Sequence, residues 1–108
     1  MQINAAVADS LGLCVFGRSV TDENLELIAN AINDAFDAGV TPDFIRNIGV
    51  ETLRIEAAFN NAAGFGEGDD ELPAFFHEEP LPPTGKMARL YSREVNAAMQ
   101  NLMEAQSL

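Results

Sequence analysis

The chain has 108 residues, which is the length of one domain, and its composition of 47% hydrophobic and 21% charged residues is typical of a folded globular protein. Seventeen acidic residues against six lysines and arginines give a net charge of -11, which argues against binding to nucleic acid or to an anionic membrane surface. One cysteine and one histidine exclude an internal disulfide and a zinc site built from this chain alone.

The first predicted element is a helix over residues 3–14. Its apolar side chains recur at steps of four and three and so form one stripe: Ile3, Val7, Leu11 and Cys14. Gly17 is predicted to break the chain after this helix. The alternative for Cys14, taken alone, is a small buried hydrophobic residue on that stripe.

A second helix is predicted over residues 22–37, with N-cap candidates at Ser19, Thr21 and Asp22. Gly39 suits the left-handed position just past its end. The helical spacing predicts one buried stripe, formed by Leu25, Ile28, Ala29, Ile32, Ala35 and Phe36.

A third helix is predicted over residues 42–62, because Thr41-Pro42-Asp43 combines a cap, a first-turn proline and an acid. Gly49 is expected to weaken or kink this helix, since an interior glycine costs about 1 kcal/mol relative to alanine. Gly64 is expected to end it. The helical spacing is held by Phe44, Ile45, Ile48, Thr52, Ile55 and Phe59.

Residues 64–85 contain three glycines before Gly85 and four prolines, and they predict a long strap without regular structure. Its apolar residues are expected to dock on the helices: Phe65, Leu72, Phe75, Phe76 and Leu81. A last helix is predicted over residues 86–105, with its inner face formed by Met87, Leu90, Tyr91, Val95, Ala98, Leu102 and Met103. The predicted fold is therefore all-α, with four or five helices and one strap in a single domain, residues 1–108.

Three patterns within the strap are weak signals of chemistry. The glycine-rich run of residues 64–68 follows a helix and leads into acids, whereas a phosphate loop follows a strand and opens a helix. Asp69-Asp70-Glu71 lacks the ligand order of a calcium loop and is interpreted as a solvated acidic turn. His77 has no second ligand or nucleophile near it in sequence, so a satisfied or exposed loop histidine is favoured.

The segment from Asp9 to Cys14 is a stronger indication of a binding site, because it combines a carboxylate with a thiol. Asp9 precedes the thiol of Cys14 by five residues, and Gly12 lies between them. A helix that ends near Gly12 is expected to leave backbone amides free beside a carboxylate and a sulfur. A carboxylate accepts hydrogen bonds from ring amides, and a thiolate is a soft metal ligand. One thiolate cannot hold an iron–sulfur cluster, so the other ligands would lie outside this chain.

These residues carry a resemblance to a known family. Asp9-x-x-Gly12-Leu13-Cys14 resembles the last pterin and cluster motif of the aldehyde ferredoxin oxidoreductases. Further stretches resemble the family in the same order, so that the resemblance spans about residues 5–104: Val40-Thr41-Pro42 with Ile48-Gly49, Glu56-Ala57-Ala58-Phe59-Asn60, Ala63-Gly64-Phe65, Asp69-Asp70-Glu71-Leu72-Pro73, and Pro80-Leu81 with Gly85. The sequence departs from the pattern after Gly49, where the family has an arginine.

The resemblance implies the C-terminal helical domain of an enzyme that contains a tungsten or molybdenum bis-pterin cofactor and a 4Fe–4S cluster. It assigns a pterin contact to Asp9, a backbone approach to the same cofactor to Leu13, and the last cluster ligand to Cys14. The full-length enzyme would oxidise aldehydes to carboxylic acids and pass electrons to ferredoxin. Its upstream domains, ferredoxin and the aldehyde are then the expected partners, and the isolated chain is expected to be inactive and to bind no cofactor.

An alternative function is a stand-alone acidic helical module that binds another protein without catalysis. No apolar run approaches the roughly 18 residues of a membrane span, and no signal peptide is seen, so a cytoplasmic location is expected. In the isolated chain we expect an exposed apolar patch that favours a flexible N-terminus or self-association, formed by Ile3, Val7, Leu11 and Val15.

Overall fold

The computed structural model of the protein describes residues 1–104, and the side chains of residues 1–101. Within this range the chain forms six α-helices and no β-strand, which confirms the predicted all-α class. The helices are α1 (Gln2–Ser10), α2 (Arg18–Thr21), α3 (Leu25–Phe36), α4 (Pro42–Ala62), α5 (Phe75–Glu78) and α6 (Ser92–Glu104). Short 3₁₀ helices cover Val15–Gly17 and Glu67–Asp70.

The chain divides into two compact units, Met1–Ala57 and Ala58–Leu108. In the first unit, α1, α3 and α4 contribute the buried side chains, and the core is formed by Ile3, Val7, Ile28, Ala29, Ile45 and Val50. The expectation of an exposed patch that includes Ile3 and Val7 is therefore wrong. Leu11 packs partly buried against the same core, and Val15 is exposed as expected.

Gly49 lies where α1 approaches α4 closely. A Cβ atom at this position would lie 2.5 Å from the backbone oxygen of Ile3 and 2.8 Å from Cγ2 of Val7. The helix is not broken at this predicted weak point, because α4 runs without interruption from Pro42 to Ala62. The glycine instead makes room for a neighbouring backbone, and this outweighs its poor helix propensity.

The connections around α3 differ from the sequence prediction. The helix begins at Leu25 rather than near residue 22, because the side chain of Asn24 accepts the hydrogen bond of the Leu27 amide. The left-handed residue directly after it is Asp37, and Gly39 is left-handed two residues later. Ile28 and Ala29 are buried as predicted, whereas Ala35 and Phe36 at the end of the stripe are exposed.

In the second unit, Gly64 follows α4 with φ +92°, as its predicted role as a terminator requires. The strap is more regular than predicted, since it contains a 3₁₀ helix and α5. Its apolar residues were expected to be buried by docking, but those named above remain 44–64% exposed. The last helix begins at Ser92 rather than residue 86. The side chains of Leu102 and Met103, which were predicted to line its inner face, and the predicted end at residue 105 lie outside the described residues.

Over the described residues, none of the helices combines the length and the apolar composition that crossing a membrane demands.

Candidate functional site

The end of α1 separates Asp9 from Cys14. Gly12 has φ +66°, and its N–H donates to the backbone oxygen of Asp9 at 3.2 Å. The N–H of Leu13 donates to the backbone oxygen of Ala8 at 2.8 Å. This pair of bonds is the Schellman arrangement that ends many helices at a glycine. The predicted helix over residues 3–14 therefore ends at Ser10, because the chain reverses at Gly12 before it reaches the cysteine.

The Schellman turn also changes the chemistry expected of this segment. Backbone amides near Gly12 were predicted to be free for a ligand, but those of Gly12 and Leu13 are not, because both donate within the turn. The side chain of Leu13 packs partly buried against the core, which anchors the turn on the helices. The segment can therefore offer a ligand its side chains and its shape, but not these two amide protons.

Cys14 lies beyond the turn and is exposed. Its backbone is extended, with φ -66° and ψ 127°, and its carbonyl oxygen accepts the hydrogen bond of Gly17 that starts the 3₁₀ helix Val15–Gly17. The interpretation of Cys14 as a buried hydrophobic residue on the α1 stripe is therefore wrong. The thiol is open to whatever adjoins this end of the unit.

Asp9 is on the last turn of α1 and is exposed. Sequence reasoning missed Arg18, which follows the turn along the chain and whose Nε donates to both carboxylate oxygens of Asp22 at 3.0 and 3.1 Å. The pKa of Arg18 is raised, chiefly by the hydrogen bond with Asp22 and to a smaller extent by the charge of Asp9. The signal available in the sequence was the i to i+4 spacing of Arg18 and Asp22 on one helical turn.

The described residues do not form a metal site by themselves. Over the described residues, no group of three or more His, Cys, Asp or Glu side chains is arranged to hold a metal ion. Cys14 can therefore act as one ligand among several, and the others have to come from outside the described part of the chain.

The second unit contains a polar cluster that the sequence did not reveal. One carboxylate oxygen of Glu71 accepts from the N–H and the hydroxyl of Ser92, both at 2.9 Å. The other is 3.1 Å from Nε2 of His77, whose Nδ1 lies 3.2 Å from the backbone oxygen of Ala88. The pKa of Glu71 is lowered, mainly by the bonds from Ser92.

This cluster is not arranged for nucleophilic catalysis. The hydroxyl of Ser92 donates to Glu71 rather than to the imidazole of His77, which stacks on Tyr91 with the ring centroids 4.4 Å apart. The interpretation of His77 as a satisfied histidine is confirmed, although the residue lies in α5 and not in a loop. The acidic turn is more ordered than predicted, since Glu71 fastens the strap to the start of α6.

In the glycine-rich run, the amide of Gly66 is likewise not available to an external anion. The N–H of Gly66 donates to a carboxylate oxygen of Asp69 at 2.7 Å and so serves as part of the cap of the 3₁₀ helix Glu67–Asp70. The chain's own carboxylate takes the place that a phosphate oxygen would need, in agreement with the sequence argument against a phosphate loop.

Comparison with known proteins gives one match. The family model described as aldehyde ferredoxin oxidoreductase, domains 2 & 3, matches residues 1–106. Neither a curated protein nor a solved structure matches the chain. The matched range covers nearly the whole sequence and includes Asp9, Leu13 and Cys14.

Proposed function

This chain belongs to the aldehyde ferredoxin oxidoreductase family, and on that premise we propose that it is the C-terminal helical part of an enzyme that oxidises aldehydes to carboxylic acids. The observation that carries the proposal is the family match over residues 1–106. The family implies a tungsten or molybdenum bis-pterin cofactor and a 4Fe–4S cluster in the full-length enzyme.

Cys14 fits the role of a single cluster ligand. Its thiol is exposed, and its backbone is extended. Cys14 is also the one cysteine in the sequence, so no other thiol of this chain could take the role. A thiolate is the donor that iron–sulfur clusters use. The described residues provide no further ligand set, so the remaining cluster thiolates in this proposal belong to upstream domains of the same enzyme.

Asp9 fits the role of a pterin contact. It is an exposed carboxylate at the end of α1, and an ionised carboxylate accepts strong hydrogen bonds from the amino and amide groups of a pterin ring. Leu13 would hold its backbone toward the same cofactor. The amide of Leu13 already donates to the backbone oxygen of Ala8. The backbone of Leu13 would therefore contact the cofactor through van der Waals packing and not through a hydrogen bond from its amide.

In this proposal the cofactors carry the redox chemistry, and the residues of this chain bind and position them. When bound, the metal and pterin would supply the two-electron oxidation of the aldehyde, with water as the source of the added oxygen, and the cluster would pass the electrons to ferredoxin. In this chain, Asp9 would orient the pterin and Cys14 would be one ligand of the cluster. The hydrogen-bonded turn at Gly12 lies between Asp9 and Cys14 and would set their separation.

The proposal is tested by purifying the full-length enzyme under anaerobic conditions and measuring aldehyde-dependent reduction of ferredoxin together with its content of iron and of tungsten or molybdenum. The proposal predicts ferredoxin reduction that requires both the aldehyde and the bound metal. Bound metal without aldehyde-dependent reduction would contradict the substrate assignment. Absence of both iron and pterin from a folded full-length protein would favour the interaction module instead.

A further inference from the structure

Both ring nitrogens of His77 face atoms that accept hydrogen bonds. Nε2 lies 3.1 Å from a carboxylate oxygen of Glu71, and Nδ1 lies 3.2 Å from the backbone oxygen of Ala88. A carbonyl oxygen can only accept, and an ionised carboxylate can only accept as well. A neutral imidazole has a single N–H and can make one of these two bonds, whereas the imidazolium can donate in both.

The Glu71 carboxyl has no proton to offer the ring at neutral pH. Its other oxygen accepts from the N–H and the hydroxyl of Ser92, both at 2.9 Å, and these bonds lower the pKa of Glu71. The proton between Glu71 and His77 therefore has to be carried by Nε2, while Nδ1 needs a proton of its own for Ala88.

The remaining surroundings of the ring also favour a positive charge. The side chain of His77 is only 10% exposed, so water can do little for a ring nitrogen that lacks its bond. The ring stacks on Tyr91 with the centroids 4.4 Å and the planes 10° apart, and an aromatic face attracts a cation. Over the described residues, the titratable side chains that contact the ring are Glu71 from the strap and Tyr91 from the segment before α6.

The ring joins stretches of the second unit that are distant in sequence. It connects α5 to Glu71 in the strap and to Ala88 before α6, and the N–H of Ala88 also donates to the backbone oxygen of Phe76 at 2.7 Å. No residue in the range 58–101 is buried. Because this part of the unit has no buried apolar residue, polar bonds of this kind contribute much of its order.

We propose that His77 is a pH-sensitive clasp of the second unit, in which the imidazolium fastens α5 to both the strap and the segment before α6. Loss of one ring proton releases one of the two bonds. The folded unit therefore favours the doubly protonated ring, and the stability that the clasp contributes is fully present below about pH 6.5, where an unfolded histidine is protonated. It is lost as the pH rises and the folded ring gives up one proton. The proposal is independent of the proposed function, since it involves neither Asp9 nor Cys14.

The protonation state of the ring is tested by ¹⁵N NMR of the 108-residue chain labelled at histidine. The chain contains one histidine, so its two ring nitrogens give one unambiguous pair of signals. We expect both nitrogens to carry a proton in most molecules at pH 7. A folded chain in which one ring nitrogen is mainly unprotonated at pH 7 would overturn the proposal.

Two acid-to-amide variants test whether Glu71 is the group that holds the second proton. In Glu71→Gln the new amide can donate to an unprotonated Nε2, so the neutral ring should predominate at pH 7. Glu78→Gln is the matched control, because it removes the same charge one residue from His77, from a side chain that makes no hydrogen bond to the ring. It should keep both ring protons. Equal ring protonation in the two variants would overturn the assignment.

The effect on stability is measured by urea unfolding from pH 6 to pH 8.5, followed at the amide signals of α6, in the wild type and in His77→Phe. Phenylalanine keeps an aromatic ring beside Tyr91 but makes neither bond. We expect the wild-type unfolding constant to rise about tenfold relative to that of the variant, as the loss of roughly one charge-assisted bond requires. The amino terminus and Cys14 also titrate in this range, but they are common to both proteins.

A ratio of the two unfolding constants that does not change with pH would overturn the clasp. If His77→Phe does not fold, His77→Gln replaces it under the same criterion, because glutamine likewise carries no proton that titrates in this range. The NMR measurement on the wild type decides the protonation state in either case.

Discussion

The N–H of Leu13 donates to the backbone oxygen of Ala8 across the left-handed Gly12, at 2.8 Å. This bond ends α1 four residues before Cys14 and turns the chain so that the thiol is exposed instead of joining the buried stripe of the helix. The same turn leaves Asp9 exposed on the last turn of α1. The spacing of the two proposed cofactor residues thus depends on one glycine conformation.

Gly12→Ala should lower the free energy of unfolding by about 1–2 kcal/mol, because a Cβ atom disfavours the left-handed backbone at φ +66°. The open space around Gly12 means that the cost arises from backbone conformation and not from a clash. Urea unfolding of the chain measures it. The matched control is Gly17→Ala, at φ -86° and also in open space, which should change stability little. Equal effects at the two positions would contradict the role given to Gly12.

Gly49→Ala should also destabilise the chain, although alanine is the better helix former by about 1 kcal/mol. The added Cβ meets the backbone oxygen of Ile3 and the side chain of Val7, and overpacking of this kind costs about 1–3 kcal/mol. Thermal unfolding followed by circular dichroism detects the change. Gly68→Ala, which meets open space, is the control. A stabilised Gly49→Ala variant would show that α1 does not lie against α4 at this point.

Glu71 should make stability depend on pH in the acid range. Hydrogen bonds from Ser92 lower the pKa of Glu71 below the ordinary value of 4.5, so its ionised form stabilises the folded state above that value. This stabilisation is lost as the pH falls below 4.5 and through the folded-state pKa. Glu71→Gln should therefore be less stable than the wild type at neutral pH, and the difference should shrink on acidification.

The control for this prediction is Glu78→Gln, an exposed acid in α5 of the same unit. Its unfolding free energy should follow the wild type at neutral pH. A difference between wild type and Glu71→Gln that stays constant from pH 7 to pH 3 would mean that ionised Glu71 is not the group that the Ser92 bonds stabilise.

Asp9→Asn in the full-length enzyme should weaken pterin retention and leave the iron content nearly unchanged. Asparagine keeps the size and one acceptor oxygen but loses the charge-assisted hydrogen bond, which is worth about 1.5–3 kcal/mol. That corresponds to roughly a tenfold to hundredfold loss of affinity. Pterin released after dialysis is the measurement, with Asp43→Asn, an exposed acid in the first turn of α4, as the control. Equal pterin retention in both variants would contradict the role proposed for Asp9.

The sequence was sufficient to predict the all-α class, the bounds of α4 and the terminating role of Gly64, because proline, capping and glycine signals act locally. It did not predict the end of α1. The apolar spacing continues from Val7 through Leu11 to Cys14, whereas the left-handed conformation of Gly12 interrupts the helix that this spacing favours. The close approach at Gly49 depends on α1, which lies more than 35 residues away in sequence. The Glu71–Ser92 bonds span 21 residues and have no periodic signature.

The most direct test of the central claim is the iron content of Cys14→Ser in the full-length enzyme, purified anaerobically beside Ser10→Ala as a control. A serine hydroxyl is a poorer donor to iron than a thiolate, and because Cys14 is exposed its replacement should change folding stability by no more than about 0.5 kcal/mol. We predict a folded Cys14→Ser enzyme that has lost its 4Fe–4S cluster, while Ser10→Ala keeps wild-type iron. Wild-type iron in the Cys14→Ser enzyme would contradict the assignment of Cys14 as a cluster ligand.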